Sequence, residues 1–271
     1  MQGEEAPSEF VRAMEEICER ASSKGCRIWI DSEQQVLQST IDKWTIDLMR
    51  RFNRPENQAL IYNTVQAYLK SSREKIQHQL QLAEKEGWRL GVKLVRGAYI
   101  SNDIRERIHN TKSETDRSYD SIVEDLLRGE FSTCTGRQTT DLDLVLAGHN
   151  SATIRKATRL AIDLAAQSSL KAVPDFAQLQ GMADDIGCEI VQIAEDSERT
   201  GLPREVAYIP RVYKCLTWGS IQECMQYLTR RLVENKGAAD RMRGGAAEFR
   251  KELYRRMLHP WRKEVTKTAA S

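Results

Sequence analysis

Short runs of apolar, often β-branched residues alternate with longer amphipathic segments along the chain. This alternation is typical of repeated strand–helix units whose strands form one parallel sheet. Six runs have the length and composition of strands, namely residues 26–31, 59–68, 91–99, 142–150, 171–179 and 211–219. The pattern therefore predicts an α/β fold.

Helical periodicity separates the predicted strands. Within residues 71–87, Ile76, Leu80 and Ala83 fall on one face. Gly87 is expected to end this helix, because glycine readily adopts the left-handed conformation of a C-terminal cap. A second helix with the same spacing is predicted directly after the fourth strand.

Six strands are two fewer than the eight of a closed βα barrel. A helix predicted over residues 9–25 precedes the first strand, so we expect the strand or strands that open the barrel to be missing from this sequence. The unpatterned polar stretches 130–141 and 195–210 are predicted to be surface loops. The length of 271 residues fits a single domain, residues 1–271.

Charge and cysteine usage exclude several classes of function. Lys and Arg total 41 against 39 Asp and Glu, which leaves no strong field to attract nucleic acid. The six cysteines lack CxxC spacing and the four histidines lie in unrelated segments, so neither a metal site nor a disulfide is predicted.

Targeting and nucleotide-binding signals are also missing from the sequence. No apolar run approaches the roughly 20 residues of a transmembrane helix. The first ten residues are acidic, so no transit peptide is recognised. No GxGxxG opens a strand–helix unit and no GxxxxGK[ST] occurs, so neither a Rossmann site nor a P-loop is predicted.

Polar residues stand at or near the ends of five predicted strands. In a parallel βα barrel these ends meet at one mouth, so we expect the side chains there to be neighbours. They are Asp31, Gln66, Arg96, His149 and Gln178. Capping of the following helix is an equally good explanation of Asp31 taken alone.

The segment KLVRGAY, residues 93–99, combines a buried strand with a cation, a glycine and an aromatic ring. This combination suits a flat ligand with an anionic part, and Gly97 would let the backbone approach it closely. The alternative is an ordinary strand–helix turn with a solvated Arg96.

The predicted helix over residues 220–235 carries two adjacent guanidinium groups beside a ring and a carboxylate. The spacing of these groups, three or four residues from the ring to each arginine and again to the carboxylate, places them on one side of the helix. They are Tyr227, Arg230, Arg231 and Glu234. Two guanidinium groups can clamp a carboxylate. For an isolated motif, an exposed, salt-bridged helix surface is the more common explanation.

Six blocks of the sequence together resemble the FAD-dependent proline dehydrogenase family, most closely its eukaryotic, fungal-type branch. They are WIDSE, IYNTVQAYLK, EGWRLGVKLVRGAY, AGHNSATI, FAQLQGMAD and YLTRRLVEN. The resemblance is strongest over residues 25–235 and leaves 236–271 as a C-terminal helical extension. It implies a distorted, TIM-like βα barrel that lacks its N-terminal strand or strands here.

The resemblance also implies an activity and a location. It implies noncovalently bound FAD over the strand ends and the oxidation of L-proline to 1-pyrroline-5-carboxylate, the first step of proline catabolism. Electrons would pass through FAD to a quinone. The location implied is the matrix side of the mitochondrial inner membrane, with peripheral association to that membrane.

Roles for individual residues follow from the same resemblance. The catalytic residues implied are Asp31 and Lys93, the latter a cation beside the reactive flavin nitrogen. Those implied to hold FAD are Ser32, Gln66, Arg96, Gly97, Ala98, Gly148, His149 and Asn150. Those implied to surround proline are Tyr99, Leu179, Cys215, Tyr227, Arg230, Arg231 and Glu234, the two arginines gripping the substrate carboxylate.

The sequence departs from the family in two places. Cys215 stands where the family has a tyrosine against the proline ring, and Trp218 takes the next aromatic position. The missing strand would carry a lysine, so Asp31 is expected to lack its usual partner. Three hypotheses stay open: a dehydrogenase of proline or a related imino acid, a paralogue that binds flavin or a protein without turnover, and a cofactor-free enzyme with Lys93 as a Schiff-base nucleophile.

Overall fold

The computed structural model describes residues 5–100, 103–131, 142–199 and 208–234, together with isolated helical positions between 250 and 258. The side chains of residues 198, 233 and 234 lie outside this description. In chain order the elements are α1 (Ser8–Ser23), β1 (Ile28–Ile30), α2 (Gln38–Phe52), β2 (Ile61–Gln66), α3 (Ser72–Glu86), β3 (Leu90–Val95), α4 (Lys112–Arg128), β4 (Leu142–Ala147), α5 (Ser151–Ala166), β5 (Pro174–Leu179), α6 (Asp184–Arg199), β6 (Val212–Cys215) and α7 (Ile221–Glu234).

All six predicted strands are confirmed, each shorter than predicted. They pair in parallel in the order β1-β2-β3-β4-β5-β6 and curl into a half-barrel. The predicted loop 195–210 is wrong for residues 195–199, because α6 continues to Arg199. Residues 200–207 of that stretch, and most of the predicted loop 130–141, lie outside the described residues.

The outer face of the sheet holds the main hydrophobic core. Alternate strand residues such as Ile61, Val65, Leu90 and Leu94 are buried there against the helices, as the two-residue period of a strand requires. The predicted helix end at Gly87 is confirmed, with φ of 75° and an amide bonded to the last turn. Burial of these apolar faces, rather than helix propensity, stabilises the helical layer.

The inner face of the sheet carries a smaller apolar cluster, centred on Tyr62 and Val145. Gly91 faces the Tyr62 ring, and a Cβ there would lie 2.9 Å from the ring atom Cγ. The carbonyl oxygen of Ile61 would be closer still. The absence of a side chain at Gly91 therefore makes room for the backbone of β2 as well as for the Tyr62 ring.

Ion pairs link the first strand to the last two at the amino ends of the strands. Arg27 Nη1 lies 2.7 Å from Asp175 Oδ2, and Arg211 Nε lies 3.1 Å from Asp175 Oδ1. The rings of Trp29 and Tyr213 meet edge to face at 6.0 Å. The two edge strands of the sheet, β1 and β6, thus contact each other across its concave face.

Candidate active site

A charged pair lies on the concave face near the carboxyl ends of β1 and β3. Lys93 Nζ lies 2.5 Å from Asp31 Oδ1, and Thr64 Oγ1 donates to the same oxygen at 3.4 Å. The side chain of Lys93 is 15% exposed and that of Asp31 53%. Asp31 therefore has a cationic partner on a strand within the chain, Lys93. The expectation that it lacks the lysine of a missing strand stays a prediction.

The turn after β3 approaches the end of β2 closely. Gly97 has φ of +142°, and a Cβ at this position would lie 2.5 Å from Tyr68 Cγ. The amide of Ala98 donates to Gln66 Oε1 at 3.2 Å, and Gln66 is buried. Glycine is required at this turn because the Tyr68 ring lies against it. The predicted close approach of Gly97 to a ligand stays a prediction.

The side chain of Arg96 faces the helices rather than the mouth. Its Nε donates to Asp116 at 2.8 Å and its Nη2 donates to Thr153 at 2.7 Å, while the guanidinium lies 4.9 Å from the Tyr119 ring centroid. Lys93 points inward, and a residue three positions along a strand points to the other face. The expectation that Arg96 joins the other strand-end side chains is wrong for this reason.

Gln178 also lies on the outer face. Its Oε1 accepts from Lys214 Nζ at 2.6 Å, and Lys214 bonds Asp184 at the start of α6 as well. The next residue, Leu179, takes the inner position opposite Cys215. The expectation that Gln178 lies among the side chains at the mouth is therefore wrong, and Leu179 occupies that position.

The residues after β4 form a compact loop at the same edge of the sheet. His149 Nε2 accepts from the amide of Leu179 at 2.9 Å, and Gly148 N donates to Ala177 O at 3.0 Å. Asn150 caps α5 by accepting from the amide of Thr153. His149 thus joins the strand ends as predicted.

The floor of the mouth between β3 and β5 is made of small side chains. Val95 pairs with Ala147, which in turn pairs with Ala177. A Cβ at Gly148 would meet no atom within 4 Å. The side chains on this part of the floor, next to Gln66, are therefore short.

The arginine-bearing face of α7 lies over the turn of Tyr99. The guanidinium carbon of Arg231 is 5.6 Å from the Tyr99 ring centroid and 5.3 Å from that of Tyr227. Arg230 Nη1 donates to Glu33 Oε2 at 3.1 Å, and Tyr99 OH donates to Glu33 Oε1 at 3.1 Å. The arginine pair and the turn of Gly97 and Tyr99 therefore lie at the same end of the sheet.

The apolar side chains of α7 face solvent. Ile221, Met225, Leu228 and Leu232, spaced three and four residues apart, are all exposed. A surface helix normally buries such a stripe. In α7 the contacts to the mouth come instead from the polar and aromatic face.

Cys215 and Tyr227 meet beside the arginine pair. Cys215 Sγ lies 3.8 Å from Tyr227 OH. Burial, together with the Cys215 contact, raises the pKa of Tyr227 to about 12. Burial also raises the pKa of Tyr99, against the opposing effect of Arg231. Trp218 is almost fully exposed.

Two further predicted residues have limited contacts. Ser32 is buried, and its hydroxyl donates to Gln38 Oε1 at 2.6 Å. Glu234 ends α7, and its side chain lies outside the described residues. Glu33 and Tyr68, which contact the site, were not singled out from the sequence, although both stand within the blocks WIDSE and IYNTVQAYLK.

Two kinds of feature are absent from the described residues. Across the described ranges, no group of three or more His, Cys, Asp or Glu residues could hold a metal ion. No helix in the described part of the chain is both long and apolar enough to cross a membrane.

Comparison with known proteins adds to this geometry. A family profile described as "Proline dehydrogenase" matches residues 4–244. A "Probable proline dehydrogenase, mitochondrial" of Schizosaccharomyces pombe is 33% identical over 263 residues, covering 92% of this chain and 50% of that protein. "Proline dehydrogenase 1, mitochondrial" of Caenorhabditis elegans is 31% identical, covering 92% of this chain and 38% of that protein. The chain thus spans half or less of the length of these relatives.

A solved structure has the same fold. Proline utilization A (PutA) from Bdellovibrio bacteriovorus, inactivated by N-propargylglycine, superposes with a TM-score of 0.60 at 24% identity, covering 79% of this chain and 20% of that one. The six parallel strands therefore correspond to part of a TIM-barrel-like domain. The family profile spans most of the chain, and the chain belongs to the proline dehydrogenase family.

Proposed function

We propose that this chain binds FAD over the carboxyl ends of its strands and oxidises L-proline to 1-pyrroline-5-carboxylate. One observation carries the proposal: Arg230 and Arg231 lie over the mouth that also holds the pair of Asp31 and Lys93. A pair of arginines can clamp a carboxylate, and a cation nearby can tune a flavin, so this arrangement suits the oxidation of an amino acid.

The arginine pair would bind the substrate carboxylate. Arg230 already binds a carboxylate, that of Glu33, at 3.1 Å. A substrate carboxylate can take the place of Glu33 and bond both guanidinium groups, which fixes the ring of the imino acid below them. Tyr227 and Tyr99 provide the aromatic walls against which the Arg231 guanidinium stacks.

The residues at the strand ends suit FAD. The flavin, when bound, supplies the acceptor for the hydride that leaves the substrate. Its flat ring would lie on the floor of Val95, Ala147 and Ala177, with the Gln66 amide at its edge. Lys93 would supply positive charge beside it, and Asp31 holds the Lys93 ammonium in position at 2.5 Å.

The phosphates of FAD would lie near Arg96. Its guanidinium bonds Thr153 in the first turn of α5 and Asp116 in α4. A helix amino terminus beside a guanidinium favours an anion. Gly97, Ala98, Gly148, His149 and Asn150 line the same edge.

The proposed location follows the names of the relatives, and the proposed electron acceptor follows the family resemblance. We propose a quinone as the electron acceptor and a mitochondrial location on the matrix side of the inner membrane, with peripheral association. The relatives named above are described as mitochondrial.

A related imino acid is the second candidate substrate. Cys215 is smaller than the tyrosine of the family and lies 3.8 Å from Tyr227. The space could hold a hydroxyl group on the substrate ring. A "Hydroxyproline dehydrogenase" of Mus musculus is 29% identical over 251 residues, covering 89% of this chain and 50% of that protein.

Flavin bleaching tests the proposal. The chain is purified with FAD, its visible spectrum is recorded, and L-proline or trans-4-hydroxyproline is added without oxygen. A yellow protein that bleaches with either imino acid supports an enzyme, and the faster one identifies the substrate. A yellow protein that bleaches with neither indicates a paralogue without turnover, and a colourless protein contradicts the FAD site.

A further inference from the structure

We infer that Trp29 is a positioning residue whose indole face holds the Lys93 ammonium at the mouth of the half-barrel. The inference rests on the proposed function, since it names a further residue that prepares the site for the flavin. The effect of Trp29 on the reaction would pass through Lys93.

The first strand and the residue that follows it supply two neighbours to the same ammonium group. Trp29 and Asp31 are two positions apart, so their side chains point to the same, concave face of the sheet. Lys93 Nζ lies 5.5 Å from the centroid of the Trp29 ring and 2.5 Å from Asp31 Oδ1. The ammonium is therefore held by a carboxylate and by an aromatic face.

The contact between Trp29 and Lys93 crosses an intervening strand. Trp29 pairs in register with Tyr62 of β2, and Lys93 pairs with Thr64 of the same strand. The backbones of β1 and β3 therefore lie about 10 Å apart, twice the usual spacing of neighbouring strands. Two long side chains are needed to cover that distance, and an aromatic ring presents the negative face that attracts a cation.

Contacts with the last strand hold the indole in place. The rings of Trp29 and Tyr213 meet edge to face, with centroids 6.0 Å apart and planes at 85°. The Arg27 guanidinium carbon lies 4.8 Å from the Tyr213 ring centroid, and Arg27 is itself paired with Asp175. Trp29 is thus packed between the two edge strands, which limits its freedom to turn away from Lys93.

The indole N–H of Trp29 does not explain why tryptophan stands at this position. Its Nε1 is buried and has no hydrogen-bond partner among the described residues. A buried donor without a partner costs free energy, so another contribution of the ring must outweigh that cost. The face of tryptophan binds cations more strongly than that of phenylalanine or tyrosine, and the Lys93 ammonium is the cation that lies over it.

The ring determines how freely the Lys93 ammonium can move. The ammonium stands on a flexible four-carbon chain, and the Lys93 side chain is 15% exposed. Without the indole, space opens beside the ammonium, which can then move and meet more water. A charge that is fixed before the reaction stabilises a reduced flavin better than a mobile charge does.

Acetylation of Lys93 in the protein without FAD tests the inference. Trp29→Met replaces the ring by a flexible apolar side chain. We expect Lys93 to react with acetic anhydride at least about fivefold faster, the size of one partly buried cation–π contact, as measured by mass spectrometry. Lys214 is the internal reference, because 27% of its side chain is exposed and it is paired with Asp184. An unchanged rate at Lys93 would overturn the inference, and so would an equal rise at both lysines.

Fluorinated tryptophans test the cation contact without a change in packing. Fluorine keeps the shape of the ring and weakens the negative charge of its face. Tryptophan with one to four fluorine atoms is placed at position 29 only, and the acetylation rate of Lys93 should rise with each added fluorine. Rates without a trend would overturn the role of the ring face, even if Trp29→Met fails to fold.

Anaerobic reduction of the FAD-bound protein by L-proline connects this position to the reaction. Trp29→Met should lower the rate constant of flavin reduction about fivefold to tenfold and change the Kd of L-proline less than about twofold, because the arginine pair is untouched. Phe131→Met is the matched control, since Phe131 is a buried ring of the main core with the Arg73 guanidinium carbon 5.1 Å from its centroid. A wild-type rate constant in Trp29→Met, or an equal loss in the control, would overturn the inference. If the wild type binds no FAD, the proposed function fails, and acetylation alone decides the role of Trp29.

Discussion

Replacement of Gly97 by alanine should destabilise the protein strongly. The backbone φ of +142° is strained for a residue with a side chain, which costs about 1 to 3 kcal/mol. The new methyl group would lie 2.5 Å from Tyr68 ring atoms, and overpacking of this kind costs about 1 to 3 kcal/mol more. The expected loss of unfolding free energy is therefore about 2 to 6 kcal/mol, a large part of the stability of a typical domain.

Urea unfolding followed by circular dichroism measures this loss. Gly148→Ala is the matched control at the same edge of the sheet, because a Cβ there would meet nothing within 4 Å. The control should stay within about 0.5 kcal/mol of the wild type. A Gly97→Ala variant equal to the control would refute the close approach of the turn to Tyr68.

Three further predictions concern the mouth and the surface. Arg231→Met should raise the KM for the imino acid by the equivalent of about 1.5 to 3 kcal/mol, measured by steady-state kinetics, and an unchanged KM would contradict the carboxylate clamp. Cys215→Tyr should lower the ratio of kcat/KM for hydroxyproline to that for proline about tenfold, and an unchanged ratio would remove Cys215 from substrate selection. The hydrogen bond from Arg50 lowers the pKa of Glu86 from 4.5 to about 2, so its stabilising effect is present above pH 4.5 and is lost as the pH falls toward 2. Urea midpoints of the wild type and Arg50→Met should therefore converge over this range, and a constant difference would contradict the ion pair.

Much of the fold can be predicted from the period of the apolar residues. The strands were located because a buried parallel strand is a continuous apolar run between polar ends. The strands are shorter than predicted at their carboxyl ends. Residues 97–99 (GAY) and 148–150 (GHN) follow the apolar runs directly but are not among the paired residues of the strands. The polar composition of residues 195–199 predicts a loop, although these residues form the last turn of α6.

The candidate site was predicted in part. The arginine pair could be found because two guanidinium groups on one helix face form a recognisable spacing. The predicted positions of Arg96 and Gln178 are wrong because successive side chains of a strand point to opposite faces of the sheet. A difference of one residue therefore places a side chain against the helices instead of in the mouth. Glu33 could not be found from the sequence, because its partners Arg230 and Tyr99 are distant along the chain.

Because α7 contacts the mouth through polar side chains, the position of its arginine pair should depend on ionic strength. The helix contacts the mouth through the pair of Arg230 and Glu33 and through the rings around Arg231, while its apolar stripe faces water. Exposed ion pairs are screened by salt, whereas the buried faces of the sheet are not. Concentrated salt should loosen the helix while the half-barrel remains folded. An imino acid that binds Arg230 must also break the contact of Arg230 with Glu33, which helps to hold α7 in place. Binding of the substrate therefore weakens the attachment of the helix that binds it.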